Sequence, residues 1–89
     1  MSVKEILKVF EKLEMEIREG RDTIAKFRYK DRVVTRTKVP HKRGELKGKL
    51  PYFIRQQLRV NEEQIKGLID CTLYRKDYER ILKEKEFIA

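Results

Sequence analysis

The first apolar positions of the chain recur with helical spacing. Ser2 and Glu5 have the spacing of a capping box, in which each side chain binds the backbone N–H of the other residue. The apolar residues that follow would share one face of a helix: Val3, Ile6, Leu7, Phe10 and Leu13. The pattern predicts a helix from about Val3 to Glu14.

The apolar spacing changes to a period of two after Met15. Alternation through Ile17 ends at Gly20, and two longer alternating runs follow on either side of Lys30 and Asp31. A period of two on both sides of a short polar turn is typical of a β-hairpin, here preceded by a short strand. The side chains expected to face the helices are Ala25, Phe27 and Val39, and those expected to face away are Lys26, Arg28, Arg36 and Lys38.

Helical spacing returns beyond Pro40, which cannot donate a hydrogen bond to a sheet and so ends the last strand. Pro51 suits the first turn of a helix, and Asn61 with Gln64 forms a second capping box. The apolar faces of three helices are expected to contain Leu50, Phe53, Ile54 and Leu58, then Ile65, Leu68 and Ile69, and finally Tyr74, Tyr78, Ile81 and Leu82. This order of elements predicts an α+β fold, with an N-terminal helix, a three-stranded antiparallel sheet and further helices on one face of the sheet.

Length and composition narrow the class of protein. A chain of 89 residues forms one domain whose core is too small to enclose a large pocket. No apolar run reaches the roughly 20 residues of a membrane span, and charges interrupt the N-terminus where a signal peptide would be apolar. With one cysteine and one histidine, neither an internal disulfide nor a zinc site is expected. We therefore expect a cytoplasmic protein that uses no metal or cofactor and does not bind membranes.

Positive charge is concentrated in the middle of the chain. The formal net charge is +8, yet residues 1–17 and residues 60–89 each contain one more acidic than basic side chain. Residues 18–59 contain fourteen basic and four acidic side chains, a net charge of +10. Segregation of this kind is typical of a basic surface that binds a polyanion. A basic surface that only keeps the protein in solution is the alternative.

The loop between the last strand and the next helix is rich in basic residues. The helix expected near Leu50 would add its first N–H groups and its positive dipole end, both of which favour a phosphate. No phosphate-binding glycine motif is present in the sequence, and the only serine, Ser2, suits a helix cap better than catalysis. The loop is therefore the strongest candidate for binding an anion, with a flexible basic loop as the alternative. Its basic side chains are His41, Lys42, Arg43, Lys47 and Lys49.

Part of the sequence resembles a known family. The stretches KEILKVFEKLEMEIREG, VTRTKVPH, GELKGKLPYFIRQQL and VNEEQIKGLI are similar to segments of the HicA-type toxins. The resemblance covers residues 4–69, within a domain of residues 1–69, and residues 70–89 are expected to form a helical extension packed on the same domain. It implies a fold like that of double-stranded-RNA-binding domains and an activity that cleaves mRNA.

The chain departs from the family where the catalytic histidine is expected. That histidine lies in a Gly-Ser-His segment at the start of the second strand, where this chain has Gly20, Arg21 and Asp22. An aspartate is a poor proton carrier at neutral pH and repels phosphate, so Asp22 does not suit acid–base cleavage. His41 resembles a second family histidine, one residue short of its usual spacing. An active ribonuclease that uses His41 is therefore the alternative to a protein without catalysis.

Together these patterns favour a small RNA-binding relative of the HicA-type toxins that cleaves RNA weakly or not at all. The residues expected to bind RNA phosphates are Lys26, Arg28, Arg36, Lys38, Lys42, Arg43, Lys47 and Lys49. Structured or double-stranded RNA is the expected ligand, because Tyr29 and Tyr52 are too few aromatic residues for a base-stacking platform. A protein-interaction module, covered by an acidic antitoxin-like partner, is a further alternative.

Overall fold

The order of helices and strands follows the pattern of the sequence. The structure is a computed structural model that describes residues 1–40 and 44–88. Its elements are α1 (Val3–Lys12), β1 (Glu16–Glu19), β2 (Asp22–Tyr29), β3 (Arg32–Pro40), α2 (Leu50–Leu58), α3 (Glu62–Ile69) and α4 (Arg75–Glu84). The strands form one antiparallel sheet in the order β1-β2-β3. The predicted α+β fold is confirmed.

Helix α1 begins with the predicted capping box and ends earlier than expected. The hydroxyl of Ser2 accepts a hydrogen bond from the Glu5 N–H at 3.0 Å, and the Glu5 carboxylate accepts one from the Ser2 N–H at 2.8 Å. The helix stops at Lys12 because Glu14 has a φ of 52°, which the helical backbone excludes. The N–H of Met15 then donates back to the Phe10 carbonyl at 3.0 Å and closes the helix end.

The hairpin between β2 and β3 turns on two residues. Lys30 and Asp31 have φ values of 50° and 64°, and positive φ at both central residues is what a two-residue type I′ turn requires. Close to the turn, Phe27 pairs with Thr35 while Arg28 pairs with Val33, so the register shifts by one residue. A shift of this kind is a β-bulge, which increases the local twist of the strand pair.

The core lies between the inner face of the sheet and the helices. Ala25, Phe27 and Val39 are fully buried there, as their alternation in the sequence predicts. Tyr78 of α4 belongs to the same core, and its ring meets the Phe27 ring edge-on at 4.7 Å between centroids. Helix α4 therefore contributes directly to the core that covers the sheet.

The hydroxyl of Tyr78 links three elements inside this core. It donates a hydrogen bond to the Leu58 carbonyl at the end of α2, at 2.8 Å, and lies 2.8 Å from the Thr35 hydroxyl on β3. Burial raises the pKa of Tyr78, so the hydroxyl remains protonated and available as a donor. The arrangement satisfies polar groups that the apolar core would otherwise leave without partners.

Several residues assigned to buried helical faces are exposed instead: Leu7, Leu50, Phe53 and Tyr74. In α2 the buried side chains are Ile54 and Leu58, which lie four residues apart on one line along the helix. Phe53 precedes Ile54 by about 100° of helical rotation and is half exposed. Tyr74 caps α4 from outside the helix, so it does not share the helical face.

Candidate nucleic-acid interface

The outer face of the sheet, which the helices leave uncovered, is rich in basic side chains. Side chains alternate between the two faces of a sheet, and residues paired across strands share a face. Lys26 lies opposite Arg36, and Ile24 lies opposite both Arg18 and Lys38. We call this surface the basic sheet face. Its basic side chains are Arg18, Lys26, Arg28, Arg36 and Lys38.

One cation of the basic sheet face has a carboxylate partner. The Arg28 Nε donates a hydrogen bond to the Glu16 carboxylate on β1 and forms an ion pair with it. This hydrogen bond and the positive charge of Arg28 lower the pKa of Glu16, while the same hydrogen bond and the charge of Glu16 raise the pKa of Arg28. Both side chains are half exposed, so the pair contributes little to stability. Its effect is to reduce the positive charge that Arg28 offers to a ligand.

The other cations of this face repel one another. Lys26 and Arg36 lie directly opposite each other on neighbouring strands, and like charges in that position destabilise a sheet. Their Cα atoms are separated by roughly 5 Å. Within residues 1–40 and 44–88, no carboxylate lies at ion-pair distance from Arg18, Lys26, Arg36 or Lys38. A polyanion bound over this face would offset the repulsion.

Arg18 belongs to this surface although it was not among the predicted RNA-binding residues. The alternation of Met15 and Ile17 with charged residues is enough to direct Arg18 outward. Its position in the same row as Lys38 depends on the register of β1 with β2. That register is a property of the folded sheet and has no simple signal in the sequence.

A groove at the edge of β3 joins the basic sheet face to helix α2. Its volume is about 290 Å³, and its lining residues are Arg36, Thr37, Lys38 and Gln57. The Thr37 hydroxyl donates a hydrogen bond to the Gln57 side-chain oxygen at 2.6 Å, which holds α2 against β3. Arg36 and Lys38 can therefore be approached from the outer face of the sheet and from the side of α2.

The structure describes the predicted basic loop only in part. His41, Lys42 and Arg43 lie outside the described residues. After them, the chain is tied to the start of α1, because the Val3 N–H donates to the Gly44 carbonyl at 2.9 Å. Lys47 and Lys49 follow with exposed side chains, and Lys49 is the N-cap of α2.

The length of the chain between β3 and α2 limits how far this loop lies from the sheet. Pro40 ends β3, and Gly44 is four residues later. Four residues span at most about 14 Å when fully extended. Gly44, the first described residue after β3, therefore lies within about 14 Å of Pro40, at the end of β3 that carries Lys38.

Asp22, which the resemblance to HicA-type toxins aligns with their catalytic histidine, lies at the end of the sheet where β3 ends. It begins β2 opposite Pro40 and is half-buried. Its carbonyl accepts a hydrogen bond from the Gly20 N–H at 3.2 Å. A carboxylate at this point adds negative charge beside the basic sheet face. The alternative catalyst, His41, lies outside the part of the chain that the structure describes.

Comparisons with protein-family models, with curated proteins and with solved structures find no match to this chain. The resemblance to HicA-type toxins therefore stays a prediction from the sequence. Over residues 1–40 and 44–88, no helix is both long enough and apolar enough to cross a membrane.

Proposed function

We propose that this protein binds RNA electrostatically, through phosphate contacts on the basic sheet face and the adjoining loop. The observation that carries the proposal is the direct apposition of Lys26 and Arg36, neither of which forms an ion pair within residues 1–40 and 44–88. Such an arrangement costs free energy in the isolated protein and is offset when a phosphate lies between the cations. The surface offers backbone contacts, which give affinity and position with little sequence choice.

The resemblance to mRNA-cleaving toxins is the reason for choosing RNA among polyanions, and a cytoplasmic location fits that choice. Cleavage is not part of the proposal, because Asp22 stands where the family carries its histidine. Lys42 and Arg43 are retained as proposed phosphate ligands on the strength of the sequence. The acidic antitoxin-like partner stays a prediction.

The salt dependence of RNA binding tests this proposal. About four to six phosphate contacts predict a slope of log affinity against log salt of roughly −3 to −5. Fluorescence anisotropy of labelled RNA, titrated with purified protein at several salt concentrations, measures the slope. Affinity that does not change with salt would exclude the electrostatic interface.

A charge-reversal pair locates the interface. Arg36→Glu with Lys38→Glu should reduce RNA affinity at least about tenfold and flatten the salt slope, because phosphate contacts are replaced by repulsion. Lys76→Glu with Lys83→Glu on α4 is the matched control, since both lysines are exposed and the net charge changes equally. Equal losses in the two variants would show that only total charge matters and that the sheet face is not the binding surface.

A further inference from the structure

Helix α2 exposes two aromatic side chains next to each other at its first turn. Tyr52 and Phe53 are 51% and 50% exposed, although Phe53 was expected in the core. Their rings are 5.9 Å apart between centroids and inclined at 66°. Leu50 beside them is also exposed. A half-exposed pair of rings has apolar surface that a ligand can cover.

The surroundings of this aromatic pair are basic. Between Leu46 and Val60 the sequence has no acidic residue. The basic side chains of this stretch are Lys47, Lys49, Arg55 and Arg59. The Arg55 guanidinium lies 5.3 Å from the centroid of the Tyr52 ring, as in a cation–π contact. Arg55 therefore contacts the aromatic pair within α2, and Lys49 and Arg59 lie at the two ends of the helix.

The aromatic pair adjoins the basic sheet face. Residues four apart on a helix are neighbours on its surface, so Phe53 lies one turn from Gln57. Gln57 lines the groove at the β3 edge together with Arg36 and Lys38. A chain that crosses the basic sheet face and passes over this edge would therefore reach Phe53 and then Tyr52.

We propose that Tyr52 and Phe53 stack with unpaired bases of the RNA whose phosphates lie on the basic sheet face. The inference rests on the proposed RNA binding and deepens it by naming the class of RNA, namely RNA with a single-stranded segment or loop. It departs from the sequence expectation of structured or double-stranded RNA, because Phe53, which was expected to be buried, is exposed beside Tyr52. Bases that stack on aromatic side chains while phosphates contact nearby cations are a common mode of single-strand binding. The bases of a continuous duplex are stacked on each other and cannot reach the rings. The cations beside the rings favour an anionic ligand over an apolar protein surface.

Fluorescence of a tryptophan probe tests stacking directly. The chain has no tryptophan, so Phe53→Trp introduces a single tryptophan at the proposed site, whose emission is excited selectively over that of tyrosine. Single-stranded oligoadenylate should quench it on binding, whereas a blunt RNA duplex of equal length should not. Tyr74→Trp is the matched control, because Tyr74 is equally exposed but lies at the N-cap of α4, away from α2 in the sequence. Absence of quenching in Phe53→Trp under conditions where anisotropy shows binding would overturn the inference and leave the proposed function intact.

Affinity measurements give a second, independent readout. Tyr52→Ala with Phe53→Ala should weaken oligoadenylate binding at least about fivefold, the loss expected from one base–aromatic stack, and leave duplex affinity unchanged. Arg36→Glu with Lys38→Glu should weaken binding of both RNAs. Unchanged oligoadenylate affinity in the alanine variant would overturn the inference. So would sedimentation that shows a dimer of the wild type and a monomer of this variant, because the aromatic pair would then bind a second copy of the chain. If the wild type binds neither RNA, the proposed function fails and the inference fails with it.

Discussion

Glu16 forms an ion pair with Arg28, and not with Lys26, although Lys26 lies directly opposite Glu16 in the sheet. Glu16 therefore neutralises Arg28, which is the cation of the basic sheet face nearest the hairpin turn. Lys26 and Arg36 remain as opposed cations in the middle of the sheet. The electrostatic character of the basic sheet face thus depends on which cation Glu16 contacts.

The first prediction is that Glu16→Gln strengthens RNA binding. The variant removes one negative charge from the face and releases the Arg28 guanidinium to a phosphate. We expect affinity to rise about threefold or more at low salt, and the salt slope to steepen by roughly 0.7 to 0.9, which corresponds to one added contact. Anisotropy titrations of the variant and the wild type at several salt concentrations measure both quantities.

A matched control separates this effect from net charge. Glu11→Gln on α1 changes the net charge by the same amount at an exposed position away from the sheet. It should leave the salt slope unchanged. Because Arg28 lowers the pKa of Glu16, the ion pair is present above the ordinary glutamate pKa and is lost as the pH falls through the lowered value. The comparison therefore belongs at neutral pH.

A second prediction concerns the buried hydroxyl of Tyr78. Tyr78→Phe leaves the Leu58 carbonyl and the Thr35 hydroxyl without this partner in the core. Loss of a partner by buried polar groups costs about 1–3 kcal/mol, so the free energy of unfolding should fall by that amount. Urea denaturation measures it. Tyr74→Phe, at an exposed ring, should change stability by less than about 0.5 kcal/mol, and equal effects would contradict the role assigned to the Tyr78 hydroxyl.

Much of the fold follows from local patterns in the sequence. The capping box at Ser2 and the alternation around Phe27 depend only on residues that are close together in the sequence. The structure confirms both. The end of α1 was predicted two residues too late, because Glu14 is an ordinary helix former whose positive φ is imposed by the turn into β1. Local propensity does not contain that information.

The candidate site could be predicted only in part. Alternation was sufficient to direct Lys26 and Arg36 outward, but the pairing of Arg28 with Glu16 depends on strand register, which the sequence did not supply. The exposure of Phe53 was missed for a different reason. Helical spacing predicts one wide apolar face that includes both Phe53 and Ile54, and only packing against β3 decides that Ile54 is the residue buried.

A third prediction concerns the hairpin turn. Lys30 and Asp31 both adopt positive φ, a conformation that costs roughly 1–2 kcal/mol for residues with a side chain and much less for glycine. Replacing the pair by Asn-Gly, the preferred type I′ sequence, should raise the free energy of unfolding by about 1 kcal/mol. For a domain of this size the midpoint of thermal unfolding would rise by about 4–8 °C.

The control for this change is a glycine introduced at a position with negative φ, where it removes no backbone strain. Asp70 has a φ of −79° at the end of α3, so Asp70→Gly should not stabilise the protein. Thermal unfolding followed by circular dichroism compares the variants. An unchanged midpoint in the Asn-Gly variant would show that the turn is not strained.

The last prediction is that the purified protein leaves RNA intact at neutral pH. The sequence resemblance aligns Asp22 with the histidine of HicA-type toxins, and the Asp22 carboxylate lies beside the basic sheet face, where it would repel a phosphate. His41→Ala should accordingly leave the RNA band pattern of the wild type unchanged and reduce affinity only slightly. Incubation of labelled RNA with each protein, followed by denaturing gel electrophoresis, is the measurement. Cleavage by the wild type that disappears in His41→Ala would identify His41 as a catalyst, because it is the only histidine in the chain, and would contradict a role limited to binding.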